Sequence, residues 1–261
     1  MGAQHAEKRG RCQRPAEQIT TIPSILLSRR GQVAIISSIA RSIYCTGGIF
    51  ITRTVYLYIF DTMADWEPAY ALTELRSGRY FRDRAAKYSV KTVGITQEHV
   101  TTMGGLKVLP DLTVTGLTPA DAGLLILPGG DTWLDPVHAP IYPRVREFLG
   151  AKVPVAAICG ATMGLAANGL LDDRHHTSND PGFLKACCPS YRGAALYVRE
   201  PAVCDHDLIT ASGVAPLEFA HEILKKLGVF SPETLDAWYR LYLTHESACF
   251  YALMESLPKK G

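Results

Sequence analysis

Hydrophobic residues recur along the chain in short runs of four to eight positions, bounded by Gly, Pro and charged residues. Runs of this length and composition are typical of strands buried in a sheet. The first of them, TVYLYIF, ends at Asp61, and a later one, AGLLIL, ends at a Pro-Gly-Gly turn. The predicted strands are Thr54–Phe60, Tyr88–Ile95, Ala122–Leu127 and Pro154–Ile158, with further candidates at Arg174–Ser178, Ala194–Val198 and Leu208–Thr210.

Between these runs, apolar residues recur at helical spacing. Gly78 and Gly228 are plausible helix stops, and Ser231 has the character of an N-cap that opens a long helix through about Met254. The glycine-containing segment Thr101–Val114 suits a hairpin or loop excursion. Strands that alternate with helices predict an α/β fold, with a mostly parallel, twisted sheet and helices on both faces. The predicted helices before Ser231 are Asp65–Ser77, Ile141–Leu149, Gly160–Ala167 and Ala215–Leu227.

The first 50 residues lack this order. Residues 1–53 carry eight Lys or Arg and two Glu. We interpret residues 1–50 as a basic, disordered extension or as the product of an upstream start codon, although the segment also loosely resembles an organelle transit peptide. The apolar stretch Val33–Ala40 is too short to span a bilayer and is followed by Arg41. We expect a cytoplasmic protein with an α/β domain at 54–228 and a C-terminal helix at 231–257 packed on it.

Composition excludes several classes of function. The body of the chain is mildly acidic, whereas nucleic-acid binders present a basic face. The seven cysteines form no CxxC pair, which argues against a disulfide framework and a structural zinc site and suggests a reducing compartment. His138, His206 and His221 have no metal-ligand spacing. We therefore expect no metal, no cofactor, no membrane and no nucleic acid, and a small molecule as the substrate.

Cys159 stands where a strand of small apolar residues meets a predicted helix, in the segment VAAICGATMG. A small residue, here Gly160, must follow a nucleophile at such an elbow because the turn is sterically tight. The thiol would lie at the carboxyl edge of the sheet, where α/β proteins bind ligands, and at a helix N-terminus, which favours the thiolate. We predict that Cys159 is the reactive nucleophile; the alternative is an inert core cysteine.

Two neighbouring segments offer partners for this thiol. Backbone amides of Gly130, in the Pro-Gly-Gly turn, and of Gly160 are candidates for an oxyanion hole. Gly129 belongs to the same turn and is a candidate pocket residue. Glu67 follows the first strand and could reach the thiol as a buried, protonated carboxyl group, since a charged carboxylate would raise the thiol pKa. The alternative for Glu67 is an exposed first-turn residue that complements a helix dipole.

The motifs ILPGG, AICGATM, residues 169–178 and ASGVAPLEF, in this order, resemble the ThiJ/PfpI superfamily over about residues 54–228. The resemblance implies a flavodoxin-like three-layer sandwich of the class I glutamine-amidotransferase type. It implies that Cys159 is the reactive residue, that Glu67 contacts it, and that the Gly130 and Gly160 amides form the oxyanion pocket. It also implies a homodimer.

One position departs from the family pattern. Many members carry a His twenty residues after the cysteine, and here that position is Asn179, a candidate pocket residue. His176 lies nearby, but strand alternation puts it on the opposite face. A bulge or an early strand end would bring His176 into the pocket as a catalytic base; otherwise it is a solvated strand end. Without such a base, amide hydrolysis is disfavoured.

The leading hypothesis is therefore a ThiJ/PfpI-like cysteine enzyme acting on a small carbonyl or amide substrate, with glyoxalase- or deglycase-like chemistry favoured over hydrolysis. A second hypothesis is a non-enzymatic redox sensor or stress-response protein that uses the same cysteine. A third is a peptidase or a glutamine-amidotransferase-like enzyme. The amidotransferase requires a His-x-Glu dyad, and His245-Glu246 lacks that spacing.

Overall fold

The buried apolar runs become the central strands of one sheet in this computed structural model, which describes residues 52–258. Seven strands form the sheet, and six of them run parallel to one another. The exception is the last edge strand, which is antiparallel. The strands are β1 (Thr52–Tyr58), β2 (Lys87–Gly94), β3 (Val100–Thr101), β4 (Lys107–Val108), β5 (Leu112–Thr113), β6 (Ala122–Leu127), β7 (Val155–Ile158), β8 (Ala202–Asp205) and β9 (Leu208–Ala211). The order in the sheet is β5-β2-β1-β6-β7-β9-β8, and β3 and β4 form a separate hairpin.

Helices cover both faces, which gives the expected three-layer α/β sandwich. One group packs around α5, which contacts α1, α6, β8 and β9, and another pair, α2 and α3, contacts β7. The helices are α1 (Ala69–Ser77), α2 (Ile141–Gly150), α3 (Gly160–Ala167), α4 (Pro181–Cys187), α5 (Pro216–Leu227), α6 (Pro232–Thr244) and α7 (Ser247–Glu255). The mostly parallel fold predicted from the sequence is confirmed.

The middle of the sheet positions the chemistry. Every residue of β6 is buried, and β6 pairs in parallel with β1 on one side and β7 on the other. β9 lies beside β7. Because parallel strands end at the same edge, the segments that follow β1, β6, β7 and β9 meet there. These segments contain Glu67, the Pro-Gly-Gly turn, Cys159 and Gly213.

Two predicted elements are wrong in detail. The first helix begins at Ala69 rather than Asp65, because the Asp65 carboxylate accepts a hydrogen bond from the Gly104 amide at 2.6 Å and residues 65–68 form turns. The segments 174–178 and 194–198 form no strands. They meet only in an isolated bridge between His176 and Tyr197. Backbone amides of the first segment are instead bonded by side chains, as from Thr177 to the Thr210 hydroxyl at 2.9 Å.

The single C-terminal helix expected at 231–257 is two helices. Ser231 caps α6 as predicted, and its hydroxyl accepts the Thr234 amide at 3.1 Å. The helix ends at His245, whose φ of 61° is left-handed, and α7 then starts in a new direction. α6 packs on the body of the domain, where the Trp238 indole donates to the Glu74 carboxylate at 3.0 Å.

The extension predicted at residues 1–50 lies outside the described residues. Within 52–258, no helix has both the length and the apolar character needed to cross a membrane. The five cysteines of this range are all free thiols.

Candidate functional site

Cys159 lies at the sharp turn between β7 and α3, with φ 57° and ψ −123°. Its amide donates to the carbonyl oxygen of Ala211 on β9 at 3.0 Å. Its carbonyl accepts two bonds from Thr162, from the amide at 3.1 Å and from the hydroxyl at 2.6 Å. An unusual backbone conformation held from both sides is typical of a functional residue. The elbow expected around Cys159 is therefore present, and the thiol is half-buried.

Glu67 is buried beside this thiol, with 1% of its surface exposed. Its Oε2 atom accepts the Gly129 amide at 2.5 Å. Its Oε1 atom is buried and has no conventional hydrogen-bond partner in the described part of the chain. A methyl group added to Gly213 would lie 2.6 Å from Cys159 Sγ and 3.1 Å from Oε1. The free carboxyl oxygen and the sulfur therefore face the same small space.

Two glycines make this close approach of carboxyl group and thiol sterically possible. A methyl group on Gly129 would lie 2.6 Å from the Cβ atom of Cys159 and 2.7 Å from Glu67 Oε2. Gly213 is equally confined, as the contacts above show. Gly213 was not predicted as a site residue, although it follows β9 at the carboxyl edge of the sheet, a position that could have indicated it.

The protonation states of Cys159 and Glu67 differ from the sequence-based expectation, which was a thiolate beside a neutral carboxyl group. Burial raises the pKa of Glu67 to about 7, while the bond from the Gly129 amide and the contact with the Cys159 thiol lower it. Burial also raises the pKa of Cys159, and the neighbouring Glu67 raises it further. Hydrogen bonds from Asn179 and the Gly160 amide oppose this but are smaller. The helix terminus thus does not outweigh burial, and the protonated thiol is the resting form at neutral pH.

Asn179 is the polar side chain that contacts the sulfur from the other side. Its Nδ2 atom donates to Sγ of Cys159 at 3.3 Å. Its Oδ1 atom accepts the Gly213 amide at 2.8 Å, which fixes the orientation of the side-chain amide. The predicted pocket residue thus occupies the position expected for a base. Its part as a hydrogen-bond donor to the thiol was not predicted.

His176, proposed as a catalytic base, does not join this group. It is fully buried, with Nε2 hydrogen-bonded to the Tyr191 hydroxyl at 2.6 Å and Nδ1 bonded to the Arg174 carbonyl at 2.8 Å. Both ring nitrogens are therefore engaged away from Cys159. Burial lowers the pKa of His176, so the ring is neutral. The strand-face argument against His176 does not apply, because segment 174–178 forms no strand, and the residue is a buried structural group rather than a solvated strand end.

Gly130 and Gly160 lie next to each other at the elbow. A methyl group on Gly160 would lie 2.6 Å from the Gly130 carbonyl oxygen and 3.4 Å from its nitrogen. A weak interaction with the Gly160 amide is the smallest of the causes that shift the pKa of Cys159, and it lowers that pKa. The Cys159 amide is bonded to Ala211 and is therefore not available to a substrate oxygen. The oxyanion role of the Gly130 and Gly160 amides stays a prediction.

A cavity of about 380 Å³ opens beside Asn179. Tyr197, Arg199, Ser212 and Val214 contribute to its wall. This volume is within the range of pockets for small molecules. Asn179 lines the cavity and also donates to the Cys159 sulfur, so it connects the cavity with the thiol. Within residues 52–258, no group of three or more His, Cys, Asp or Glu side chains is arranged to hold a metal ion.

Comparison with known proteins identifies the family of the chain. The model of the DJ-1/PfpI family matches residues 53–226. The chain belongs to the DJ-1/PfpI family. A Bacillus subtilis member, named "Uncharacterized protease YoaZ", is 50% identical over 208 residues, which cover 80% of this chain and 99% of that protein.

Two further proteins are similar to this DJ-1/PfpI chain. The crystal structure of a thiJ/pfpI family protein from Bacillus anthracis is 49% identical, with a TM-score of 0.77, and the match covers 80% of this chain and 98% of that one. The Escherichia coli protein named "Protein/nucleic acid deglycase 2" is 26% identical over 187 residues, which cover 68% of this chain and 99% of that protein. The superfamily resemblance and the fold predicted from sequence are thus confirmed.

Proposed function

We propose that this DJ-1/PfpI protein is a cysteine-dependent enzyme that converts small reactive aldehydes, with glyoxalase- or deglycase-like chemistry. The observation that carries the proposal is the Glu67 carboxyl group, buried, with a pKa of about 7 and a free oxygen facing the Cys159 thiol. A group that titrates near the working pH can both accept and return a proton. Asn179 holds the place where other members have a base.

In the proposed reaction, the sulfur of Cys159 adds to the aldehyde carbon while Glu67 accepts the thiol proton and passes it to the aldehyde oxygen. With a 2-oxoaldehyde, Glu67 then removes the hydrogen on the sulfur-bearing carbon as a proton and delivers it to the adjacent carbon. The proton of the hydroxyl group on the first carbon moves to the oxygen of the second, so that the first becomes a carbonyl and the second a hydroxyl. The product is a thioester of a 2-hydroxy acid. Water then cleaves the C–S bond, which releases the 2-hydroxy acid and restores the thiol.

Aldehyde chemistry suits this site better than amide hydrolysis does. Amide hydrolysis must protonate a leaving amine and also activate a water molecule, which favours a base such as His beside the cysteine. The amide side chain of Asn179 transfers no proton, and the nitrogens of His176 are bonded elsewhere. Relatives carry both kinds of name, protease and deglycase, so both activities need to be measured.

The test compares the wild-type protein with Cys159→Ser on methylglyoxal, followed as lactate, and on a chromogenic peptide amide. We expect lactate formation that depends on Cys159 and no cleavage of the peptide. Equal rates of lactate formation by the two proteins would contradict the proposal. Cys159-dependent peptide cleavage without lactate formation would assign the protein to the hydrolases instead.

A redox sensor is the second candidate, and the donors around the sulfur favour it. The Asn179 side chain and the Gly160 amide would stabilise the oxygens of a sulfinic acid formed from the thiol by two equivalents of peroxide. The raised thiol pKa slows this oxidation, since the thiolate is the reactive form. Peroxide modification at Cys187 or Cys249 in preference to Cys159, read by peptide mass, would contradict the sensor.

Three expectations from the sequence stay predictions: a homodimer, a cytoplasmic location and a part in the stress response. Sedimentation of the purified protein tests the first directly. A monomer at micromolar concentration would contradict it.

A further inference from the structure

A second pocket lies at the opposite edge of the sheet from the thiol, where the parallel strands begin. It has a volume of about 430 Å³. Four cationic side chains from four separate segments line it. They are Arg53 on β1, Arg82 after α1, Lys152 before β7 and Lys226 on α5. Nothing in the proposed chemistry of Cys159 uses this pocket.

Two carboxylates, Asp83 and Asp207, line the pocket with the four cations and leave a net positive charge. Asp207 pairs with Lys226 at 2.9 Å, and Asp83 accepts the Ala85 amide at 2.8 Å. The other three cations, Arg53, Arg82 and Lys152, form no ion pair within residues 52–258. Like charges that share a concave surface repel one another, and a bound anion would relieve that repulsion. The pocket therefore has more cations than carboxylates, and three of its cations form no ion pair within the described range.

Part of the wall is tightly packed, although Arg53, Arg82 and Lys152 themselves are exposed. A methyl group on Gly123 would lie 2.8 Å from the Tyr88 ring and 3.0 Å from the Cβ atom of Arg53. The ring and the base of the arginine side chain thus pack directly on the backbone of β6. Lys152 has a positive φ of 61°, in the turn that leads into β7. The backbone positions of Arg53 and Lys152 are thus tied to β1 and to the turn before β7.

We propose that this pocket binds a small phosphate-bearing molecule. Guanidinium groups match the oxygens of a phosphate through paired hydrogen bonds, and a lysine adds a compact positive charge. Concave shape and volume suit a small ligand rather than a polymer. The site is independent of Cys159, so its occupancy does not depend on the aldehyde chemistry.

The test is a calorimetric titration of the full chain with pyrophosphate, with ionic strength held constant by sodium chloride. We expect saturable binding at one site per chain. Arg82→Gln and Lys152→Gln each remove a charged donor and should weaken binding about tenfold. Lys185→Gln, an exposed cation on α4 outside the pocket, is the matched control and should bind as the wild type does.

Three results would overturn the proposal. They are a titration that does not saturate at constant ionic strength, pocket variants that bind as tightly as Lys185→Gln, and sulfate binding as tightly as pyrophosphate. Cys159→Ser should bind pyrophosphate unchanged, and loss of binding in that variant would contradict a separate site. Arg53→Gln provides a second charge removal on a different strand if one of the other variants fails to fold.

Discussion

The side chains around Cys159 adjust one another's protonation. Burial raises the pKa of the thiol and also raises that of Glu67 to about 7, so at neutral pH a single proton can move between the two groups. Asn179 favours the anionic sulfur by donating to it. The result is a nucleophile that is generated when it attacks, rather than a permanent thiolate.

Asn179 provides the first prediction. Asn179→Ala removes the hydrogen bond to Sγ, so the pH midpoint for alkylation of Cys159 by iodoacetamide should move upward. Asn179→Asp retains the acceptor for the Gly213 amide but replaces the donor with a charge, and the midpoint should move further in the same direction. A midpoint that stays at the wild-type pH in both variants would show that Asn179 does not act on the sulfur.

The raised pKa of Glu67 predicts that the free energy of unfolding depends on pH. Its pKa is higher in the folded protein, about 7, than the ordinary 4.5, so protonation stabilises the fold below pH 4.5 and this contribution is lost as pH rises through 7. Between pH 5 and pH 8 the wild type should lose about 2.5 kcal/mol more free energy of unfolding than Glu67→Gln. Urea unfolding of both proteins measures this difference. If the free energies of unfolding of the two proteins changed in parallel with pH, the pKa of Glu67 would not be raised in the folded protein.

The residues of the site were predictable from sequence only in part. A strand followed directly by Cys-Gly and a helix indicates the elbow. A Glu that follows the first strand of a parallel sheet lies at the same edge as the elbow, which indicated Glu67 as a candidate partner. The state of the thiol was not predictable, because it depends on burial and on donors from separate segments. The positions of the Asn179 and His176 side chains depend on hydrogen bonds to residues distant in sequence, Gly213 and Tyr191, which the local pattern does not indicate.

At the scale of elements, apolar periodicity located the buried strands well and the ends of helices less well. β6 appears with the predicted bounds because all six of its residues are buried. The break between α6 and α7 was missed because His245 adopts a left-handed conformation, which sequences usually signal with Gly or Asn. Segments 174–178 and 194–198 had strand-like composition, but side chains satisfy part of their backbone.

Ser231 provides a test of the α6 terminus. Its hydroxyl accepts the Thr234 amide at 3.1 Å, so Ser231→Ala should reduce the free energy of unfolding by about 1 kcal/mol. Ser231→Thr retains the acceptor and should lose less. Equal losses in the two variants, measured by urea unfolding, would argue that packing rather than capping stabilises this helix end.

At the scale of the whole molecule, the similarity to known proteins begins at about the start of β1. The family match begins at residue 53, and the relative from Bacillus subtilis is matched over 99% of its own length by 208 residues of this chain. We therefore expect that deletion of residues 1–50 leaves the thermal unfolding midpoint and the activity unchanged. A lower midpoint in the shortened chain would assign a structural role to the extension.

The central claim is that Glu67, rather than a histidine, moves the proton for Cys159. The most direct measurement compares wild type and Glu67→Gln in lactate formation from methylglyoxal at pH 7, with thiol alkylation measured on the same samples. Loss of a general acid–base should lower turnover by about 10²-fold or more. Alkylation should be as fast or faster, since Glu67 raises the pKa of the thiol. Turnover by Glu67→Gln at the wild-type rate would contradict the account.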